Sequence, residues 1–332
     1  MNTDINLASI GYYLANNKQL DINTLYTSAH KFFHRLYWNR DDIADIIPIC
    51  KHSELIRKIG QIDSPVPEED ILRFKTVIQD TFSEIESSGI YTDAGLEYTK
   101  YNIFTRTGRP SNSNNNINYA GLNKEDGTRK KYKSRYAGGV LAEFDYDAYH
   151  LRLIGRLIGY ELPAGSIHTY FATQFYGTKE ITPEEYKLSK KMSFTALYGG
   201  IPKELLVVEY FKKTQDYIDK LWNDWNTLGY VETPLLKKKF FKKNFETMNR
   251  QKIFNYVIQS FETETNVVVL KKLLNFLKDK QSKIVLYIYD AIVFDISPND
   301  SKQILKDIEE IMDLPTSLHI GRDYHNMQPF VL

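Results

Sequence analysis

Apolar residues recur at steps of three and four between residues 71 and 85, as Ile71, Phe74, Ile78, Phe82 and Ile85. That period gathers them on one face of a helix. Ser64-Pro65-Val66-Pro67 is a start signal for it, and Glu68, Glu69 and Asp70 in the first turn complement its dipole. Gly89 and Asp93-Ala94-Gly95 break the period, and residues 1 to about 100 read as helical throughout. Residues 107–118 form a polar, loop-rich stretch. Val140 to Phe144 is a short buried run that predicts a strand, passing through Asp145 into a helical pattern at Leu151, Leu153, Ile154, Leu157 and Ile158. Residues 184–199 suit a helix closed by Gly199-Gly200 with Pro202 beyond, and residues 250–278 suit a longer one. Ile284 to Ile288 and Ile292 to Ile296 are joined by Tyr289-Asp290-Ala291, which predicts a hairpin with Asp290 at its corner. Strands and helices mix without βαβ alternation, so the fold class is α+β.

Composition narrows this picture only modestly. The 332 residues can build one large or two to three small units, and 42% hydrophobic with 26% charged residues is ordinary for a soluble globular chain. No apolar run has the length of a membrane span, and the N-terminus lacks a secretory pattern. The single Cys50 excludes an internal disulfide framework and fits a reducing cytoplasm, the expected location. Net charge is only +1, so bulk basicity does not mark a nucleic-acid binder. Two clusters do more: Lys237, Lys238, Lys239, Lys242 and Lys243 around Phe240 and Phe241, and Arg129, Lys130, Lys131, Lys133 and Arg135. Each can track phosphates, or form a solvated basic face.

Candidate chemistry begins with Asp145, where a buried strand meets a helix. A carboxylate there sits on backbone fixed from both sides, which suits a divalent metal ion. Taken singly, Asp145 also reads as a helix cap and Asp290 as a turn residue. A helical stripe follows, in which Lys187, Lys190 or Lys191, Phe194 and Tyr198 share one face. Cations followed by two rings suit a triphosphate, then a sugar and base; an amphipathic surface helix has the same spacing.

In combination these segments resemble the polymerase region of family A DNA polymerases. Asp145-Tyr146-Asp147-Ala148-Tyr149-His150-Leu151-Arg152 resembles the family's first acidic motif. Lys190, Phe194, Tyr198 and Gly199 match its fingers helix, and Tyr289-Asp290-Ala291 stands where the family has His-Asp-Glu. Thr107-Gly108-Arg109 with Ser111, Ile167-His168-Thr169 with Ala172, Gly229-Tyr230-Val231-Glu232-Thr233 and the Asn255/Gln259 pair follow family segments in the same order. The closing Gly321-Arg322-Asp323-Tyr324 resembles the family's Gly-x-x-Trp.

The resemblance implies a right-hand fold with an antiparallel palm sheet: a reduced helical thumb over residues 1–100, palm over 101–160 and 256–332, and fingers over 161–255. It implies that Asp145, Asp290 and the Tyr146 carbonyl hold two Mg²⁺ ions, for which Mn²⁺ can substitute. His150, His168, Lys187, Lys190, Phe194 and Tyr198 are expected to meet the incoming dNTP. Arg109, Lys237, Lys238, Lys239, Asn255, Gln259 and Tyr289 are expected to contact primer-template DNA. The expected activity is template-directed DNA synthesis without a proofreading exonuclease, by a compact bacteriophage-encoded enzyme. A separate exonuclease, a processivity factor or a helicase are the partners expected beyond DNA and dNTPs.

Departures from the family pattern keep two alternatives open. The family's ribonucleotide-excluding Glu is His150 here, which allows relaxed sugar selection. Its closing His and Glu are Tyr289 and Ala291, and its phosphate-binding Arg falls on Tyr186, with Lys187 one position away. An inactive polymerase fold that binds primer-template within a replisome is the other alternative.

Overall fold

The apolar run at 140–146 pairs with strands from residues 283–330 into a five-stranded sheet, and the remaining elements are placed by reference to it. The computed structural model describes residues 5–25, 27, 66–113 and 118–332; Cys50, Ser64 and Pro65 lie outside them. Helix α1 spans Ile5–Asn16, α2 Glu68–Phe74 and α3 Asp80–Ser88, with one π turn at Lys75–Gln79 between the last two. Phe74, Ile78, Phe82 and Ile85 are buried as their period predicts, in a cluster that also holds Ile10 and Tyr13 of α1.

Helix does not fill the first hundred residues. Gly89 takes φ +63° and the chain turns into the hairpin β1 (Ile90–Thr92) and β2 (Gly95–Glu97). Strand β3 (Lys100–Asn102) then pairs with β4 (Ser111–Ser113), inside the stretch read as loop. These strands are three residues long, too short to display a period of two in sequence.

The central sheet starts with β5 (Val140–Tyr146). Helices α4 (Tyr149–Ile158), α5 (Ile167–Tyr176), α6 (Pro183–Gly199) and α7 (Glu209–Thr227) follow, then the small pair β6 (Tyr230–Glu232) and β7 (Lys239–Phe241). The long helix α8 (Arg250–Leu277) leads to β8 (Lys283–Ile288), β9 (Ala291–Ile296), α9 (Ile304–Met312), β10 (Thr316–Gly321) and β11 (Gln328–Phe330). The strand order is β11-β10-β5-β9-β8, and every pairing is antiparallel.

Alternation along β5 and β9 supplies both faces of this sheet. Ala142, Phe144, Ile292 and Phe294 join α8 and α9 in one core, whereas Leu141 and Val293 pack with Tyr119, Tyr132 and Tyr324 on the other side. A separate cluster joins Leu151 and Ile154 of α4 to Phe171, Leu197, Phe211 and Trp225. Helix α8 joins the two units. Its 28 residues span about 42 Å at the helical rise. Ile253 to Ile258 pack in the helical cluster, and Phe261 to Leu277 pack under the sheet. Among the described residues, no helix is long and apolar enough to cross a membrane.

Candidate active site

Asp145 lies one residue from the end of β5, opposite Ala291 on one neighbouring strand and Ser317 on the other. Asp290 occupies the two-residue corner between β8 and β9. The Tyr146 amide donates to the Asp290 carbonyl at 3.0 Å, which ties the two segments together. Asp145 does not fill the capping role that its position allows, whereas Asp290 does stand in the turn. The cap position of α4 belongs to Ala148, and the left-handed residue of the hairpin is Tyr289, at φ +60°.

A bulky residue in that region is strained and persists only where its surroundings hold it. Here Asn266 of α8, fully buried, donates through Nδ2 to the Tyr289 carbonyl at 2.9 Å and to the Tyr287 hydroxyl at 2.9 Å. Its Oδ1 accepts from the Tyr149 hydroxyl at 2.7 Å. The Arg109 guanidinium lies 3.8 Å over the Tyr289 ring. The hairpin corner that presents Asp290 is therefore clamped from two sides.

Burial, then the nearby Asp290 and Glu143, push the Asp145 carboxyl up to about 7. Asp290 is also raised, by burial first and then by Glu262. Among the described residues neither acid has an ion-pair partner. Two partly buried carboxylates that repel each other are an arrangement a cation would relieve. No group of three or more His, Cys, Asp or Glu stands together among the described residues, so this is no all-protein cage. The donor set fits Mg²⁺, which is commonly held by one or two carboxylates and completed by substrate phosphates and water.

These acids open on a cleft of about 430 Å³. Tyr146, His150 and Arg109 line it on the sheet side; His168, Lys190, Phe194 and Tyr198 line it from α5 and α6. The register of α6 is fixed at its start, where Thr182 and Glu185 form a capping box and Pro183 sits in the first turn. The Ser189 hydroxyl donates to the His168 carbonyl at 3.0 Å, joining α6 to α5. His168 is buried with Nδ1 unpartnered, and burial, then Lys190, hold its pKa below the ordinary histidine value. Arg152 links this wall to the segment just after Asp145: it donates to the Asp147 carboxylate at 3.0 Å and to the Pro163 and Gly165 carbonyls at 2.9 and 3.0 Å.

A hydrogen-bonded chain crosses the cleft floor. Tyr198 meets His150 Nδ1, His150 Nε2 meets Glu262 Oε2, and Arg109 Nε donates to Glu262 Oε1 at 2.9 Å. The model of DNA polymerase family A matches residues 51–324.

The chain belongs to DNA polymerase family A.

It is 22% identical over 275 residues to the thermostable DNA polymerase I of Thermus filiformis, covering 71% of this chain and 33% of that protein. It is 24% identical over 293 residues to DNA polymerase I of Borreliella burgdorferi, covering 78% and 32%. The chain thus spans about a third of the length of the curated relatives it matches. Among solved structures it resembles the POL domain of Pol1 from M. smegmatis, in complex with DNA primer-template and dNTP. That likeness has a TM-score of 0.57 at 17% identity and covers 97% of this chain and 64% of the other. The fold is therefore the family A right-hand fold, and the five-stranded sheet is its palm.

Several expected positions of this family A chain lie elsewhere. Lys187 is exposed and outside the cleft, which Tyr186 lines instead. Asn255 and Gln259 stand half-buried on α8, and Asn255 Oδ1 is buried without a partner. Lys238 is turned inward: its ammonium donates to the Tyr13 hydroxyl at 2.6 Å and lies 4.8 Å from the Phe240 ring. Burial pushes its pKa down to about 7, so it offers no surface charge to a phosphate. Lys237 and Lys239 remain outside, 3.6 and 3.9 Å from Glu232. The second basic cluster is largely consumed internally. Arg129 donates to the Leu122 carbonyl, while Lys131, Lys133 and Arg135 pair with Glu97, Asp93 and Asp295.

Sequence reasoning missed Glu262 and Asn266. The available signal was spacing: 255, 259, 262 and 266 fall at steps of four, three and four, one face of α8.

Proposed function

We propose that this family A chain is a template-directed DNA polymerase that adds dNTPs to a primer 3′-hydroxyl. One observation carries the reading: two mutually repelling, unpaired carboxylates face Lys190, His168, Phe194 and Tyr198 across a single cleft. When bound, two divalent ions held by Asp145, Asp290 and the Tyr146 carbonyl supply Lewis-acid chemistry at the primer hydroxyl and the triphosphate.

The protein's own groups do the positioning. Lys190 offers a point charge to the triphosphate, and the His168 imidazole lines the cleft beside it. Phe194 and Tyr198, parallel within 4°, form a stacking surface for the sugar and base and for the template position. Arg109 and Tyr289, with the half-buried Asn255 and Gln259 on α8, meet the primer-template. Lys237 and Lys239 follow the phosphate backbone without reading sequence. In this reading residues 101–160 and 256–332 act as palm and 161–255 as fingers, with the described part of 1–100 on the thumb side. Synthesis is the activity assigned.

The test is primer extension on a defined template with Mg²⁺. The wild type extends with dNTPs, and Asp145→Asn or Asp290→Asn each lowers the rate by at least about 10³-fold. Extension that survives either change overturns the mechanism. Parallel reactions with NTPs measure how far His150 relaxes sugar selection, and equal use of both sugars sinks the strict DNA polymerase reading.

A further inference from the structure

Glu262 is fully buried in the middle of α8, a position where an isolated carboxylate is costly. Both of its oxygens are engaged by residues on the sheet side of the cleft, and one of these leads on to the opposite wall. Oε1 accepts from Arg109 Nε at 2.9 Å, and Arg109 in turn covers the ring of Tyr289 beside Asp290. Oε2 meets His150 Nε2, and the other nitrogen of that imidazole meets the hydroxyl of Tyr198 on α6. A carboxylate only accepts, so His150 must carry its proton on Nε2. Burial, then Glu262 itself, pushes the Tyr198 phenol up to about 12, which keeps it protonated.

We infer that Glu262 is a positioning residue of the polymerase site, holding the primer side through Arg109 and Tyr289 and the nucleotide side through His150 and Tyr198. The inference rests on the polymerase reading given above. A carboxylate is missing from positions 150 and 291, and Glu262 delivers one to the same floor from a different helix. Its two hydrogen bonds set the spacing between the hairpin corner and the face of α6. A shift of about 1 Å in such a spacing is enough to cost roughly 10²-fold in rate.

Amide chemistry provides a rescue. In Glu262→Gln the carbonyl oxygen can still accept from Arg109. The amide NH₂ can donate to His150 Nε2, provided that the imidazole moves its proton to Nδ1 and donates to Tyr198. Glu262→Ala can do neither.

Steady-state extension and histidine NMR test this together. Glu262→Ala should lower kcat/KM for dNTP by about 10²-fold, with KM raised for both dNTP and primer-template. Glu262→Gln should recover most of that loss. In the Arg109→Ala/His150→Ala background, Glu262→Ala should add nothing further. ¹⁵N spectra of the metal-free protein should show His150 as the Nε2-H form in the wild type and the Nδ1-H form in Glu262→Gln, with the signal identified by its absence in His150→Gln. The spectra do not depend on catalysis: an inert wild type with the tautomer switch refutes the polymerase reading while leaving the Glu262 linkage standing. Kinetics of Glu262→Ala within threefold of wild type, further loss in the triple variant, or a His150 tautomer indifferent to Glu262→Gln would each overturn the inference.

Discussion

Asp290 and Asp295 lie five positions apart at opposite ends of the β9 hairpin arm, and the protein treats them in opposite ways. Asp295 is fully buried, and Oδ2 accepts from both the backbone amide and Nε of Arg135, at 3.0 and 2.9 Å. The same guanidinium reaches the Ser88 and Gly89 carbonyls, so this pair locks α3 to the sheet. Asp290 opens on the cleft beside Asp145, and both acids are held above the ordinary aspartate pKa. One end of the strand has its charge neutralised by the chain, and the other leaves that to something brought in. Burial of an acid therefore does not mark function by itself; the missing internal counter-ion does.

Breaking the two ends should break different properties. Asp290→Ala should abolish extension, a loss of at least about 10³-fold, in a protein that still unfolds cooperatively. Asp295→Ala leaves the Arg135 guanidinium partly buried without its acid and should cost about 3–5 kcal/mol of stability in urea unfolding. Activity per folded molecule should stay near wild type. Equal catalytic loss in both variants would erase the distinction. Across the cleft, Lys190→Ala should lower kcat/KM by about 10²-fold, and Lys187→Ala by far less, because only Lys190 lines the site.

Much of this contrast was legible from residue order. Asp145 is legible where a strand run passes into a helical pattern and Asp290 where two strand runs meet at a corner, and the order of the motifs between them joins the two acids into a pair. The α6 stripe was found because a helix repeats every 3.6 residues and its capping signals are local. Three features were harder to read. Strands β1 to β4 are too short to show a period. Lys238 carries the same letter as Lys237 and Lys239, and only the alternation of β7 and its approach to Tyr13 turn it inward. Glu262 looks like an ordinary helical glutamate until α8 is seen to run between two cores.

The acid pair should also be visible in stability without any turnover. Asp145 has its pKa raised by folding, so its contribution favours the fold below the unfolded value and is lost as pH rises through about 7. Metal-free protein should therefore lose stability from this group between about pH 4 and pH 7. Added Mg²⁺ should raise Tm at pH 7.5, because it binds the native state, and EDTA should reverse the gain. Asp145→Asn removes the repulsion: the metal-free variant should melt a few degrees above wild type at pH 8 and respond little to Mg²⁺. A metal-induced shift in Tm that is the same with and without Asp145 would place the ions elsewhere.

Lys238 extends the comparison to a cation and predicts the smallest effect. Its pKa is depressed to about 7, so the folded state resists its protonation. The stability penalty is full below the folded value and lifts as pH rises toward the exposed-lysine range. Methionine fills a similar volume, suits the Tyr13 and Phe240 rings within 5 Å, and leaves Tyr13 its bond to the Thr105 carbonyl at 2.8 Å. Lys238→Met should therefore be more stable than wild type by about 1 kcal/mol at pH 7, with the gap closing by pH 10. Its DNA affinity should fall with salt along the wild-type slope, because a buried ammonium releases no phosphate counter-ions. Lys237→Ala, on the surface, should flatten that slope by about one. A flattened slope in Lys238→Met would mean that this lysine turns outward to meet the backbone when DNA binds.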